Sequence, residues 1–95
     1  MTRIIIRKLI FDQYNREHIQ KHKVSETEII AAGNNLIYHR KTYGSRYLVT
    51  GWSSERLITM VIQRRQKGEY YLVTARDASK KERRKVYAKE KKQNS

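Results

Sequence analysis

The fold is decided by residues 36–76, which read LIYHRKTYGSRYLVTGWSSERLITMVIQRRQKGEYYLVTAR. Four segments rich in β-branched and aromatic residues alternate with short polar connections, so we predict strands over 36–41, 46–52, 56–64 and 69–76. Connections of about two to five residues join neighbouring strands as antiparallel hairpins. The stretch therefore predicts a four-stranded antiparallel meander.

The third of these strands is apolar on both of its faces. Leu57 and Val61 point to one side, and Ile58, Met60 and Ile62 point to the other. A strand with this pattern is covered on each side at least in part. We therefore expect it to be central in the sheet.

Two short helices are predicted before the meander. Residues 4–11 form a further strand, and Asp12 is a suitable N-cap for a helix that runs to about His22. Tyr14, His18 and His22 share one face of that helix, at spacings of four residues.

A stronger start signal follows in Ser25-Glu26-Thr27-Glu28, which is a capping box. Val24 and Ile29 occupy the positions of a hydrophobic staple around it. We expect Gly33 to end this helix in the left-handed conformation.

The chain after the meander is predicted to be a basic helix. Ser79-Lys80-Lys81-Glu82 is a second capping box, and Val86 and Tyr87 are the main apolar residues after it. Residues 91–95 are expected to fray. The predicted fold class is a single α+β domain with a four- to five-stranded antiparallel sheet, two short N-terminal helices and a basic C-terminal helix.

The charge points to a polyanionic partner. The 95 residues include 22 Lys and Arg against nine Asp and Glu, which gives a net charge of +13. Such an excess favours nucleic acid or an acidic protein as partner. Without cysteine there is no disulfide, no thiolate zinc site and no cysteine nucleophile. The longest apolar run is Ile4–Ile6, too short for a membrane span, so we expect a cytoplasmic protein.

The excess charge is uneven along the chain. Residues 1–35 carry +2, residues 36–78 carry +5 and residues 79–95 carry +6. Lysines on the C-terminal helix would attract RNA diffusely, whereas arginine on a rigid strand presents a planar fork to phosphate. Tyrosines beside such arginines offer stacking faces to unpaired bases. The residues predicted to bind RNA are Arg40, Tyr47, Arg64, Arg65, Lys80, Lys81, Arg83 and Arg84.

Cleavage of RNA is chemistry that these residue types can perform. RNA carries its own nucleophile, the 2′-OH, and a protein must orient it, stabilise the phosphorane and move two protons. Arg76, Glu82, Tyr87 and His22 are residues of the right kinds. His18 and His22 could together grip zinc, but no third ligand follows at a known spacing. We therefore expect no metal site and no cofactor.

Three stretches occur in the order and at the spacing of a known family. They are Phe11-Asp12 with Asn15, His18-Ile19, Lys21-His22, Val24-Ser25 and Glu28; Arg46–Gly51 with Arg56-Leu57; and Tyr71–Ser79 with Glu82-Arg83 and Tyr87. Together they resemble the signatures of the BrnT-type toxins. The resemblance implies a RelE-like ribonuclease fold, RNA cleavage without metal, and a small antitoxin partner, typically of the ribbon-helix-helix type. It leaves open a homodimer or a toxin–antitoxin hetero-oligomer.

The family's motif residues correspond here to Lys21, His22, Arg46, Arg76, Glu82 and Tyr87. In the role this implies, Arg76 and Arg46 bind the scissile phosphate and Lys21 assists electrostatically. His22, Glu82 or Tyr87 would move the protons. Two positions depart from the pattern, since Phe11 stands where the family has Trp and Lys23 where it has Gly.

Simpler interpretations stand beside these roles. Ser79 and Glu82 can be only a helix cap, and Tyr87 can be a core residue. The whole basic surface can also belong to a non-catalytic module that binds nucleic acid or docks a partner protein. Salt-dependent RNA binding without a cleaved product would identify that alternative.

Overall fold

A computed structural model describes residues 4–93 of the chain. The elements follow in the order β1 (Lys8–Ile10), α1 (Gln13–Lys21), α2 (Glu26–Gly33), β2 (Leu36–Lys41), β3 (Arg46–Ser53), β4 (Arg56–Gln66), β5 (Glu69–Asp77) and α3 (Lys80–Gln93). All four strands of the predicted meander are present, and each begins at the predicted residue. The predicted α+β class is confirmed.

The five strands form one sheet in the order β1-β5-β4-β3-β2, with β4 at its centre as predicted. The meander is antiparallel, but β1 pairs with β5 in parallel, so the expectation of a purely antiparallel sheet was wrong. A hairpin fixes the direction of each strand from β2 to β5. No hairpin links β1 to its neighbour, because α1 and α2 carry the chain across the sheet to β2 before the meander returns.

One face of the sheet holds the main core. Ile19 of α1, Val24 of the connection that follows it, and Ile29 and Ala32 of α2 pack there on alternate strand residues, among them Met60, which has no exposed surface. We call this side the helical face. Burial of this apolar surface is the main term that holds α1 and α2 on the sheet.

The opposite face is only partly covered, and we call it the open face. Strand pairing places Tyr38, Thr50, Thr59 and Arg76 side by side on it. Helix α3 covers one end, where Val86 packs with Leu57, Ala78 and Trp52. Beyond that end the face carries Arg46, Gln63 and Thr74, which are partly exposed, together with the apolar residues Leu48 and Val61.

Local signals specify the helix ends correctly at most positions. Asp12 caps α1 and accepts from the Asn15 N–H at 2.8 Å, while Ser25 and Glu28 form the predicted capping box of α2. The left-handed end predicted at Gly33 was wrong: Gly33 is the last helical residue and its successor, Asn34, has φ −85°. A left-handed residue does occur after α1, at Lys23 with φ 56°.

Two further predictions concern the ends of the chain. The first strand covers only Lys8–Ile10 of the predicted 4–11. Helix α3 extends to Gln93, so the tail expected to fray from residue 91 begins within the helix, and its last two residues lie outside the described residues.

Candidate functional site

The open face carries a rigidly held arginine where β5 meets α3. Arg76 donates from Nη1 to Glu82 Oε1 at 2.8 Å and from Nη2 to Oε2 at 2.9 Å. Glu82 is itself fixed by the predicted capping box, since Oε1 accepts from the Ser79 N–H at 2.8 Å and the Glu82 N–H donates to Ser79 Oγ at 3.2 Å. The helix cap and the arginine partner are therefore the same carboxylate.

Glu82 is ionised throughout the physiological range. Its partial burial raises the pKa, but hydrogen bonds from Arg76, the Ser79 backbone and Thr59 outweigh this and bring the pKa down to about 2. The same pairing raises the pKa of Arg76, against a smaller opposing effect of burial. Both partners thus keep their charges, and Glu82 holds Arg76 in place as a permanent anion.

A buried pair of hydroxyls lies behind this ion pair. Thr50 and Thr59, with 0% and 1% of their surface exposed, are joined at 2.8 Å between their Oγ1 atoms. Thr59 also hydrogen-bonds Glu82. Buried hydroxyls need partners, and here the partners continue the network that orients Arg76.

The Glu82 carboxylate makes stability depend on pH. Its folded pKa lies below the ordinary 4.5, so its contribution is complete above pH 4.5 and is lost as the pH falls toward 2. We expect Glu82→Gln to lower the free energy of unfolding by up to about 3 kcal/mol at pH 7. Urea unfolding at pH 7, 4 and 2.5 measures this difference.

The difference between wild type and Glu82→Gln should shrink toward zero at pH 2.5. Glu55→Gln, which changes an exposed carboxylate in the turn after β3, serves as the matched control and should leave stability nearly unchanged. A difference that is equal at pH 7 and pH 2.5 would show that the carboxylate charge is not what stabilises the fold.

A cationic cleft adjoins the Arg76–Glu82 pair. It has a volume of about 290 Å³ and lies between β2 and the first two turns of α3. Its lining residues are Tyr38, Arg40, Lys81, Glu82 and Lys85. Because Glu82 is already paired with Arg76, the three remaining charges in the cleft are positive. The cleft therefore suits a phosphate group.

Arg56 joins three parts of the chain at the edge of this site. It forms a bidentate pair with Asp77 at 2.7 and 3.2 Å, and its Nη1 donates to Glu28 Oε2 at 2.8 Å and to the Lys23 carbonyl at 3.0 Å. Its hydrogen bonds lower the pKa of both carboxylates. For Asp77 the bond from Arg56 is the main cause, whereas for Glu28 the hydrogen bond from the Ser25 backbone N–H has the larger effect and that from Arg56 the second. Arg56 thus fastens the α1–α2 connection to the end of β5.

Lys21 and His22 lie at the end of α1, the helix on the opposite face from Arg76. Both are exposed, and the His22 ring packs against His18 at 5.7 Å between centroids. The described contacts connect this segment to Arg76 only indirectly. Arg56 donates to the Lys23 carbonyl and pairs with the Asp77 carboxylate, and the Asp77 carbonyl accepts a hydrogen bond from Arg76 at 3.1 Å. The structure therefore does not place Lys21 and His22 against Arg76.

Arg46 shares the open face with Arg76 but lies at the other end of it. Arg46 of β3 pairs with Gln63 of β4, whereas Arg76 of β5 pairs with Thr59 of β4. The two arginines are offset by four residues along the strands and by two strands across the sheet, which puts their Cα atoms about 16 Å apart. Arg46 instead contacts Tyr43, so the two arginines do not converge on one phosphate.

Tyr87 and Tyr47 lie apart from Arg76. Tyr87 is half exposed and packs on Trp52 at 6.3 Å between ring centroids; among residues 4–93 no described contact joins it to Arg76. Tyr47 lies next to Arg46 in sequence, so its side chain points to the helical face, where it packs on Tyr70. Strand alternation therefore excludes Tyr47 from the open face.

The other residues predicted to bind RNA are spread along the surface. Arg40 and Lys81 line the cleft, and Lys80 and Arg84 are exposed on α3. Arg83 donates to the Ala78 carbonyl at 3.3 Å, Arg64 is exposed near the end of β4, and Arg65 covers the Tyr71 ring at 5.1 Å. Within residues 4–93, no group of three or more His, Asp or Glu side chains could hold a metal ion. None of the helices in the same part of the chain is long and apolar enough to cross a membrane.

Sequence reasoning missed Arg56, Asp77, Thr50 and Thr59. The first two are a charge pair 21 residues apart, and only the β4–β5 hairpin brings them together. A signal for the threonines existed, because they interrupt otherwise apolar strands at positions that pair across β3 and β4. Polar residues at such positions indicate a buried network.

The architecture is also that of a solved ribonuclease toxin. The crystal structure of the ribonuclease toxin BrnT from Brucella abortus matches this chain with a TM-score of 0.56 and 19% sequence identity, over 77% of this chain and 97% of that one. No protein-family model and no curated protein matches the sequence. The likeness confirms the predicted BrnT-type fold.

Proposed function

We propose that the protein is an endoribonuclease toxin of a type II toxin–antitoxin system, which cleaves RNA without a metal ion. The observation that carries the proposal is the Arg76 guanidinium, held by Glu82 beside a cationic cleft on the open face. The fold it shares with a ribonuclease toxin supports the same function.

The guanidinium of Arg76 retains a free edge for phosphate. Glu82 takes one N–H from each terminal nitrogen, and the Asp77 carbonyl takes the second N–H of Nη1. Among the described contacts, the Nε–H and the second Nη2–H have no partner. These two donors lie on one edge of the planar group and match two oxygens of a phosphate.

In the proposed reaction the 2′-oxygen bonds to the adjacent phosphorus, and the bond from phosphorus to the 5′-oxygen of the next nucleotide breaks. The 2′-oxygen loses a proton and the 5′-oxygen gains one, which leaves a 2′,3′-cyclic phosphate and a 5′-hydroxyl. Arg76, Arg40 and Lys81 stabilise the charge of the phosphorane. Glu82 is a positioning residue, since its carboxylate is occupied by Arg76 and Ser79. Proton transfer through water in the open cleft completes the step.

The reaction requires the 2′-OH of the nucleotide that precedes the cleaved bond. We expect purified protein to cleave a labelled single-stranded RNA and to leave the same strand intact when it is made entirely of 2′-deoxynucleotides. Product ends can be identified by mass spectrometry, which distinguishes a cyclic phosphate from a linear one. Equal cleavage of both strands would refute attack by the 2′-OH.

A partner protein belongs to the same proposal. The net charge of +13 suits an acidic partner, and a small antitoxin of the ribbon-helix-helix type, bound in the cytoplasm, fits this function. Co-expression with the product of a neighbouring small gene should give a complex that co-purifies and no longer cleaves RNA.

A second candidate is a non-catalytic module that binds RNA or docks a partner through the same surface. The position of Lys21, His22 and Tyr87 away from Arg76 favours it, because among the described contacts the only one of the predicted proton-transfer residues beside Arg76 is Glu82, whose carboxylate is already paired. RNA that is bound in a salt-dependent manner but recovered intact would identify this module.

A further inference from the structure

The loop between β2 and β3 presents an aromatic ring that is fixed in place. Tyr43 is 76% exposed, more than any other large apolar side chain of residues 4–93. The Arg46 guanidinium lies over its ring, 5.5 Å from the centroid, and Nη1 donates to the Tyr43 hydroxyl at 3.2 Å. One side of the ring is thus covered by a cation and the other is open. An open aromatic face of this kind is a stacking surface for an unpaired base.

Arg46 brings a phosphate-binding group to the same place. Only one of its five N–H donors, on Nη1, has a partner among the described contacts. The remaining donors can bind phosphate oxygens while the guanidinium still covers the ring. The pair therefore offers a stacking surface for the base and a cation for the phosphate of a single-stranded nucleotide.

A continuous surface joins this pair to Arg76. Between them the open face carries Val61, Gln63 and Thr74, which are half-buried and lie outside the end covered by α3. A stacked strand advances about 3.4 Å per nucleotide. The separation of about 16 Å between the two arginines is therefore spanned by at most about five nucleotides.

We propose that Tyr43 and Arg46 form a second subsite that binds one unpaired base and its phosphate, a few nucleotides away from the phosphate held at Arg76. The proposal rests on the proposed function, because it takes single-stranded RNA as the ligand. It assigns Arg46 to substrate binding and not to the cleaved phosphate.

The test measures binding of fluorescein-labelled 2′-O-methyl RNA, which cannot be cleaved because its 2′-oxygen is blocked. A hexanucleotide reaches both subsites, whereas we expect a dinucleotide, with its single phosphate, to bind at the cleft, where Arg40, Lys81 and Lys85 supply three positive charges and the Tyr43 subsite supplies one. We expect Tyr43→Ala to weaken binding of the hexanucleotide about tenfold and to leave the dinucleotide unaffected. Tyr43→Phe keeps the ring and should bind the hexanucleotide within about twofold of wild type.

Tyr14→Ala is the matched control, since Tyr14 is 72% exposed and lies on α1, on the helical face. It should not change binding of either oligonucleotide. An abasic scan of the hexanucleotide adds a second readout: wild type should lose affinity at one position, and Tyr43→Ala should be insensitive there.

Equal affinity of wild type and Tyr43→Ala for the hexanucleotide would overturn the proposal. An equal loss for both oligonucleotides would also overturn it, because Tyr43 would then act at the Arg76 site or on the fold. If the hexanucleotide shows the Tyr43 effect but wild type never cleaves natural RNA, the subsite stands and the proposed ribonuclease activity fails.

Discussion

Replacing Arg76 with alanine is expected to slow RNA cleavage by about 10²- to 10³-fold. The alanine removes the Nε–H and the second Nη2–H, the two donors without a described partner, and leaves Glu82 as an unpaired anion in the lining of the cleft. Both changes raise the energy of the phosphorane. Single-turnover cleavage of a labelled RNA measures the effect, and RNA integrity and growth after induced expression report it in cells.

Two variants separate the geometry of Arg76 from its charge. Arg76→Lys keeps the charge but cannot engage Glu82 and a phosphate with two planar edges, so we expect most of the activity to be lost. Lys67→Ala removes one positive charge from the turn after β4 and should retain nearly full activity. If Arg76→Ala cleaves RNA as fast as Lys67→Ala, the proposed role of Arg76 is wrong.

Replacing Gly51 with alanine is expected to destabilise the fold by about 3 kcal/mol or more. A Cβ atom at Gly51 would lie 2.2 Å from the Ala32 carbonyl oxygen and 2.7 Å from the Asn35 carbonyl oxygen. Both atoms belong to the backbone at the end of α2, and the Asn35 carbonyl already accepts from the Trp52 N–H at 3.2 Å. The helix and strand must separate to accommodate the methyl group. Urea or thermal unfolding followed by circular dichroism measures the loss.

Gly33→Ala is the matched control for this prediction, because it adds the same methyl group at the last residue of α2. There the new Cβ would lie 3.6 Å from Ile6 Cδ1 and 3.8 Å from Leu9 Cδ1, which is ordinary van der Waals contact. Since alanine favours helix over glycine, stability should stay the same or rise by about 0.5–1 kcal/mol. Equal stability of the two variants would show that a methyl group at Gly51 does not clash with the backbone at the end of α2.

The parts of the fold that the sequence predicts are those set by neighbours in the chain. Each hairpin of the meander depends on a short polar connection, and both capping boxes depend on residues three positions apart, Ser25 with Glu28 and Ser79 with Glu82. These interactions form within a few residues, so local patterns contain the information. The end of α2 was misjudged because Gly33 is permissive of a left-handed end without requiring it.

Part of the candidate site follows from the sequence and part does not. Arg76 and Glu82 are six residues apart, and the turn from β5 into α3 brings them together. The predicted association of His22 with Arg76 required two elements on opposite faces of the sheet to converge, and no local signal indicates on which face a helix packs.

The sequence by itself determined the strands, the helix starts, the strongly basic surface and the resemblance to a toxin family, because local geometry and composition encode them. The tertiary structure alone decided that β1 joins β5 in parallel, that Arg56 gathers Lys23, Glu28 and Asp77, and that Arg46 and Arg76 occupy opposite ends of one face. These features depend on which apolar faces are buried against each other. Burial is not directional, so it fixes neighbours only once the whole chain has packed.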